Sequence, residues 1–210
     1  MQGSFFTKEE KMDIQKDILY QAASVWKELT EYSYIFTFGY KKQLHTIHLI
    51  FSLEDFPHLA GFQYLKDISL PRYNSRKIVD KILDNKITNN QINKGIQYTN
   101  MVEPRLKALV RLKEILENDF RLFSYMPKMY PFTTTIKADY IISSQFHSDN
   151  FVFIIKSSCS DITKCNYLCC SAFAKGERDY ETNQRFRTLL KKERIHKETN
   201  NSIILYNKLT

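Results

Sequence analysis

Tyr32-Ser-Tyr-Ile-Phe-Thr-Phe-Gly-Tyr40, followed after a short break by Leu44-His-Thr-Ile-His-Leu-Ile-Phe51, is the stretch on which the reading of this chain turns. Rings at Tyr32, Tyr34, Phe36, Phe38 and Tyr40 alternate with Ser33, Ile35, Thr37 and Gly39. That period of two places one set of side chains on each face of a strand. A turn over Gly39 to Gln43 brings Leu44 to Phe51 back beside it, so residues 32–51 predict an antiparallel hairpin.

Before the hairpin, Thr7-x-x-Glu10 has capping-box spacing ahead of Met12, Ile14, Ile18, Leu19, Ala22, Val25, Trp26 and Leu29. This predicts an amphipathic helix of about 20 residues. After the hairpin, Asp55-Phe-Pro57 reads as a helix start, with Asp55 as cap and Pro57 in the first turn. Phe56, Leu59, Phe62 and Leu65 form its buried stripe, and it ends near Asp67 with Pro71 beyond. Ser75 to Leu83 predicts a second short helix, Asp84 to Asn100 a polar mobile loop, and Asn100 onward a third helix with Pro104 in its first turn and Leu106, Leu109, Leu112 and Leu116 inside. From Phe120 the period returns to two. Phe120–Tyr125, Thr133–Ser144, Asn150–Ser157 and Asn166–Ala174 predict a meandering sheet, Tyr180–Lys192 a helix, and Ser202–Tyr206 an edge strand. Hairpins and meanders need no crossover helices, so the class is α+β.

With 210 residues, 43% hydrophobic and 26% charged, the chain has the length and composition of one globular domain, neither disordered nor fibrous. Fifteen Phe and 13 Tyr exceed what such a core needs, which leaves rings for a surface. Thirty-one Lys and Arg against 23 Asp and Glu give a net charge of +8, which favours polyanionic partners without naming one. No apolar run reaches membrane-spanning length and no basic-then-apolar leader opens the chain, so a soluble cytoplasmic protein without membrane contact is expected. Cys159, Cys165, Cys169 and Cys170 crowd together at spacings unlike paired Cys-x-x-Cys zinc knuckles, so reduced thiols and no metal are expected.

The densest chemical signal is Phe51-Ser-Leu-Glu-Asp-Phe-Pro-His58-Leu-Ala-Gly-Phe62, where a strand gives way to a helix with a histidine in its first turn. Free N–H groups there attract anions, which suits proton transfer beside a phosphate. Gly61 within the predicted helix implies close approach of a neighbouring element or a ligand. His45 and His48, three apart on a strand, point to opposite faces and do not share a metal. His147 and His196 fall in a polar turn and a charged tail. Lys156 and Ser171 come within reach of one another if their strands pair. Lys175 to Lys197 is rich in cations, with Arg185, Arg187 and Lys191 as candidate phosphate contacts and Tyr180 and Phe186 as stacking rings, although a solvated helix face explains the same residues.

At Phe36-Thr-Phe-Gly-Tyr-Lys-Lys, His48-Leu-Ile-Phe and above all Phe56-Pro-His58-Leu-Ala-Gly-Phe, the chain resembles the phage-associated barnase, EndoU, colicin E5/D and RelE-like nucleases. Ala138-Asp-Tyr-Ile-Ile, Phe151-Val-Phe-Ile and Ser171-Ala-Phe are similar in order to the sheet of that group. The resemblance implies a single nuclease-like domain over residues 1–210. In it, N-terminal helices (1–30) pack on a four- to five-stranded antiparallel sheet, and residues 68–100 form a polar insertion. It implies a toxin-like endoribonuclease of a mobile element, acting on RNA by 2′-hydroxyl attack without metal or other cofactor, with an antitoxin or immunity protein as the kind of partner such enzymes have. The motif histidine falls on His58. Local reasoning adds Lys156 and Ser171 as catalytic candidates, and Arg185, Arg187, Lys191, Tyr40 and Tyr64 as RNA contacts. The alternative is a non-catalytic nucleic-acid or protein binding module.

Overall fold

The computed structural model describes residues 17–70, 73–146, 149–158, 166–175 and 178–209. The hairpin is present: β1 (Tyr32–Tyr40) pairs antiparallel with β2 (Gln43–Ile50), from Ser33 opposite Ile50 to Tyr40 opposite Gln43. Lys41 and Lys42 turn the corner with φ of 49° and 63°, the left-handed backbone that a two-residue hairpin turn requires. β3 (Arg121–Ser124), β4 (Tyr140–Phe146), β5 (Asp149–Ser157) and β6 (Asn166–Ala174) follow as an antiparallel meander. β7 (Arg185–His196) and β8 (Ser202–Asn207) complete the set.

These strands do not make the helices-on-antiparallel-sheet layer expected from the sequence. They form a closed seven-stranded mixed barrel, β1-β2-β6-β5-β4-β3-β7, sealed by pairing of β7 with β1, with β8 added outside on β7. Two junctions escape sequence periodicity. One is the short parallel contact of β2 with β6, where His48, Leu49 and Ile50 face Asn166, Tyr167 and Leu168. The other is β7 itself, which falls largely in the span expected as a helix. Its Lys, Arg, Glu and Leu are good helix formers, but pairing with β1, β3 and β8 outweighs a propensity worth only tenths of a kcal/mol per residue.

Helices pack against the barrel and share its core. α1 (Ile18–Thr30) opens on Asp17, whose carboxylate accepts from the amides of Leu19 and Tyr20 at 2.8 and 3.1 Å. The expected start at Thr7 lies outside the described residues, and Asp17 is extended, so the helix is shorter than its periodicity suggests. α2 (Phe56–Leu59) is a single turn, α3 (Ser75–Leu83) matches its expected bounds, and α4 (Asn89–Ile92) closes a capping box between Thr88 and Gln91. Residues 84–100, expected as a mobile loop, therefore carry a helix and bury Ile87, Ile92 and Tyr98. α5 (Glu103–Glu117) packs Leu106, Leu109, Leu112 and Leu116 into one core with Leu19 and Trp26 of α1 and with Phe36, Ile47 and Phe153 of the barrel. Among the described residues, no helix is long and apolar enough to cross a membrane.

Much of the basic run of β7 is spent on these helices. The Lys192 ammonium donates to the carbonyls of Leu116 and Asn118 at the end of α5, and Lys197 donates to that of Thr30 at the end of α1. Both are cations at helix C-termini, where free carbonyls and the negative dipole end favour them. Arg194 donates to Glu117 at 2.6 Å, and the buried Tyr34 hydroxyl donates to the same carboxylate oxygen at 3.0 Å. Glu117→Ala therefore strands a guanidinium and a buried phenol together. It is expected to lower stability by about 1–3 kcal/mol, read from the shift of a urea unfolding midpoint at constant slope.

Candidate active site

The site begins with Trp26. Its indole N–H donates to the Ser52 carbonyl at 3.0 Å, and its ring meets Phe51 edge-on at 5.3 Å and Phe56 at 6.2 Å. This pins the chain as it leaves β2 and buries Phe56 and Leu59, which leaves His58 between them exposed. The cap expected of Asp55 is absent; the Ser52 hydroxyl instead accepts from the Glu54 amide. With α2 only four residues long, the anion-attracting helix end expected at His58 has no helix behind it. The site gets its positive charge from side chains.

Gly61 explains why the helix stops. Its φ of 86° is left-handed, and a Cβ there would lie 2.9 Å from the Met101 carbonyl oxygen and 3.1 Å from Cδ of Arg105. The expected close approach is thus real, at a helix end rather than inside a helix. Gly61→Ala is expected to cost about 1–3 kcal/mol from backbone strain, measured by thermal unfolding. Gly61→Asn, a residue that tolerates this backbone better, should recover part of the strain but not the crowding.

Around this turn lies a groove of about 430 Å³ lined by His58, Gln63, Tyr64, Arg105, Lys137, Lys156, Cys170 and Ser171, among others. Four expected site residues, His58, Lys156, Ser171 and Tyr64, thus converge from separate segments. β5 and β6 do pair, but with a register slip: Ile154 faces Ser171 whereas Ile155 faces Cys169, so Cys170 is the extra residue of a bulge. Such bulges re-aim side chains, and here both Cys170 and Ser171 reach the groove with Lys156. Residues 133–139, expected as the first half of a strand, stay outside the sheet ladder and supply Thr135, Ile136 and Lys137 to the wall.

Arg105 and Lys137 are groove cations that sequence reasoning missed, and Arg105 is the more buried of the two. Arg105 follows Pro104 in the first turn of α5, where its only signal is a cation beside an apolar stripe. Its Nη1 donates to the Met101 carbonyl at 2.8 Å, and its guanidinium lies 5.0 Å from the Tyr64 ring centroid. Burial pulls its pKa below the ordinary arginine value, and a partly desolvated cation of this kind attracts an anion more strongly than a solvated one. Arg105, Tyr64 and Ser171 also line an adjoining cavity of about 500 Å³ that extends the groove toward Asn100, Thr133 and Arg178. Among the described residues lining the two cavities, none is Asp or Glu. Behind the groove, burial and then Glu54 raise the Asp55 carboxyl above the ordinary carboxylate range, against the opposing charges of His58 and Lys156.

The other expected contacts lie elsewhere. Lys191 is paired with Glu193 at 2.9 Å, and Arg185, Arg187 and Tyr40 form a separate cluster with His45. His48 is half-buried, its pKa lowered by burial and by Lys197. His196 has a structural place, with its ring edge-on to Tyr32 and its Nδ1 accepting from the Thr199 amide. Cys169 is buried, and Cys159, Cys165 and His147 lie outside the described residues. Among the described residues, no three His, Cys, Asp or Glu side chains are grouped to hold a metal ion.

A family model described as phage-Barnase-EndoU-ColicinE5/D-RelE like nuclease 4 matches residues 18–209. No curated protein and no solved structure gives a significant match.

Proposed function

The chain belongs to the phage-Barnase-EndoU-ColicinE5/D-RelE like nuclease 4 family, and on that premise we propose that the His58 groove is the active site of a metal-independent endoribonuclease. Family membership makes nucleic acid the substrate class. The observation that carries the reading further is the convergence of His58, Arg105, Lys137 and Lys156 on one groove without a carboxylate among its described lining residues. Such a groove attracts a phosphodiester and holds a proton-transfer group beside it.

In the proposed reaction the 2′-oxygen bonds to the adjacent phosphorus and the bond from phosphorus to the 5′-oxygen breaks, which gives a 2′,3′-cyclic phosphate and a free 5′-hydroxyl. The 2′-proton must leave and the 5′-oxygen must gain one; His58 serves one of these transfers. Arg105 and Lys156 offset charge that builds on the non-bridging oxygens, and the Ser171 hydroxyl donates a hydrogen bond to them. Tyr64 offers a ring on which an unpaired base stacks, which favours single-stranded RNA. A binding-only reading gains most if His58 stands alone; the cations beside it favour catalysis.

The test is a short RNA in EDTA beside the same sequence as DNA and as RNA with single 2′-deoxy substitutions. Cleavage of the RNA, intact DNA, and a block when the deoxy position falls at the cut site are expected. Equal cleavage of RNA and DNA would remove the 2′-hydroxyl from the mechanism.

A further inference from the structure

A second group of side chains meets the strands of the barrel away from the groove lining, on the face of β1 that carries the buried Phe38. His45, directly opposite Phe38 in the hairpin, stacks on it at 5.5 Å with an 18° interplanar angle, and lies 5.8 Å from the Tyr40 ring. Its Nε2 is buried and has no hydrogen-bond partner. Arg187, across from Leu122 in β3, is only 9% exposed. Its guanidinium sits 3.7 Å from the Tyr40 ring centroid, and its Nε donates to the Ser124 hydroxyl at 2.8 Å. Arg185 donates to the Tyr40 hydroxyl at 3.3 Å.

Neither arginine has a carboxylate partner among the described residues. A buried cation normally acquires one, because desolvation of an unpaired charge costs several kcal/mol. The Tyr40 face and the Ser124 hydroxyl offset part of that cost but bring no negative charge. Burial raises the Tyr40 phenol, yet the nearby Arg187 guanidinium and the charges of Lys41 and Arg185 outweigh it and hold the group below its ordinary pKa, as expected where positive potential collects. An unsatisfied imidazole nitrogen and two carboxylate-free guanidinium groups gathered around one phenol, Tyr40, match what a phosphate group lacks when it leaves water: hydrogen-bond donors and positive charge.

We propose that Arg187, Arg185, His45 and Tyr40 form a phosphate-binding site separate from the His58 groove, filled by a phosphate of the nucleic acid or by a free phosphate. None of the four lines that groove, so the proposal stands whether or not the groove cleaves RNA.

The experiment follows the His45 imidazole by NMR, assigned through its loss in His45→Gln, while inorganic phosphate is titrated into the full chain. The His45 signal is expected to move saturably. Its midpoint should be unchanged in His58→Ala and raised about tenfold or more in Arg187→Gln and in the exposed-site variant Arg185→Gln. A 5′-phosphorylated DNA hexamer that binds more tightly than its 5′-hydroxyl form identifies a terminal phosphate as the ligand; equal binding identifies the internal backbone. A His45 signal that stays fixed, or that moves with the same midpoint in both arginine variants, overturns the proposal.

Discussion

His58→Ala is expected to lower the rate of RNA cleavage by about 100- to 10,000-fold, the range that positioned acid–base groups contribute, with an unchanged melting curve. The two halves of this expectation have separate grounds. His58 is exposed on a one-turn helix, and the local fold is held by its neighbours: Phe56 and Leu59 are buried, and Trp26 fixes the preceding carbonyl of Ser52. Removal of the imidazole therefore costs little packing. Activity is expected to depend on it because, among the described residues lining the first cavity, His58 is the one imidazole. A fully active His58→Ala enzyme with a normal melting curve would remove His58 from catalysis altogether.

The second large effect is expected at Arg105. Loss of a preorganised positive donor at developing phosphate charge typically costs about 100- to 1,000-fold in kcat, and Arg105→Gln should fall in that range. KM should change much less, since the interaction strengthens as charge develops in the transition state. The substitution also removes the hydrogen bond to Met101, for which about 1 kcal/mol of stability is the expected price. Arg105→Lys keeps the charge but not the planar fork, and should restore only part of the lost rate. A fall confined to KM would make Arg105 a binding residue rather than a catalytic one.

These two residues differ in how legible they were. His58 stood out because its motif joins a strand end, a Pro-containing helix start and a glycine within a few residues, and the resemblance to the nuclease family rested on the same stretch. Lys156 and Ser171 were legible only on the condition that their strands pair, which β5 and β6 do, and the bulge at Cys170 beside Ser171 had no sequence signature. Arg105 carried no signal beyond a cation beside an apolar stripe, because what singles it out is contact with Met101 and Tyr64, which depends on the chain path after Gly61.

The fold divides in the same way. Local order was readable: the hairpin of Tyr32 to Phe51, the helix of Ser75 to Leu83, and the strand of Asn166 to Ala174. Barrel closure was not, because it depends on β7, whose composition favours a helix, and on three residues of parallel pairing between β2 and β6. The cations of residues 185–197 were equally ambiguous. The structure divides them among the helix ends capped by Lys192 and Lys197, the Glu117 network of Arg194, the ion pair of Lys191, and the Arg185–Arg187 cluster.

If the groove cleaves RNA by attack of the RNA's own 2′-hydroxyl, the chemistry of the product ends shows it most directly. Wild-type protein, incubated with end-labelled RNA in EDTA, should yield 2′,3′-cyclic phosphate and 5′-hydroxyl ends, and His58→Ala should yield almost none. Products with 3′-hydroxyl and 5′-phosphate ends, or cleavage that stops when divalent metal is chelated, would contradict it.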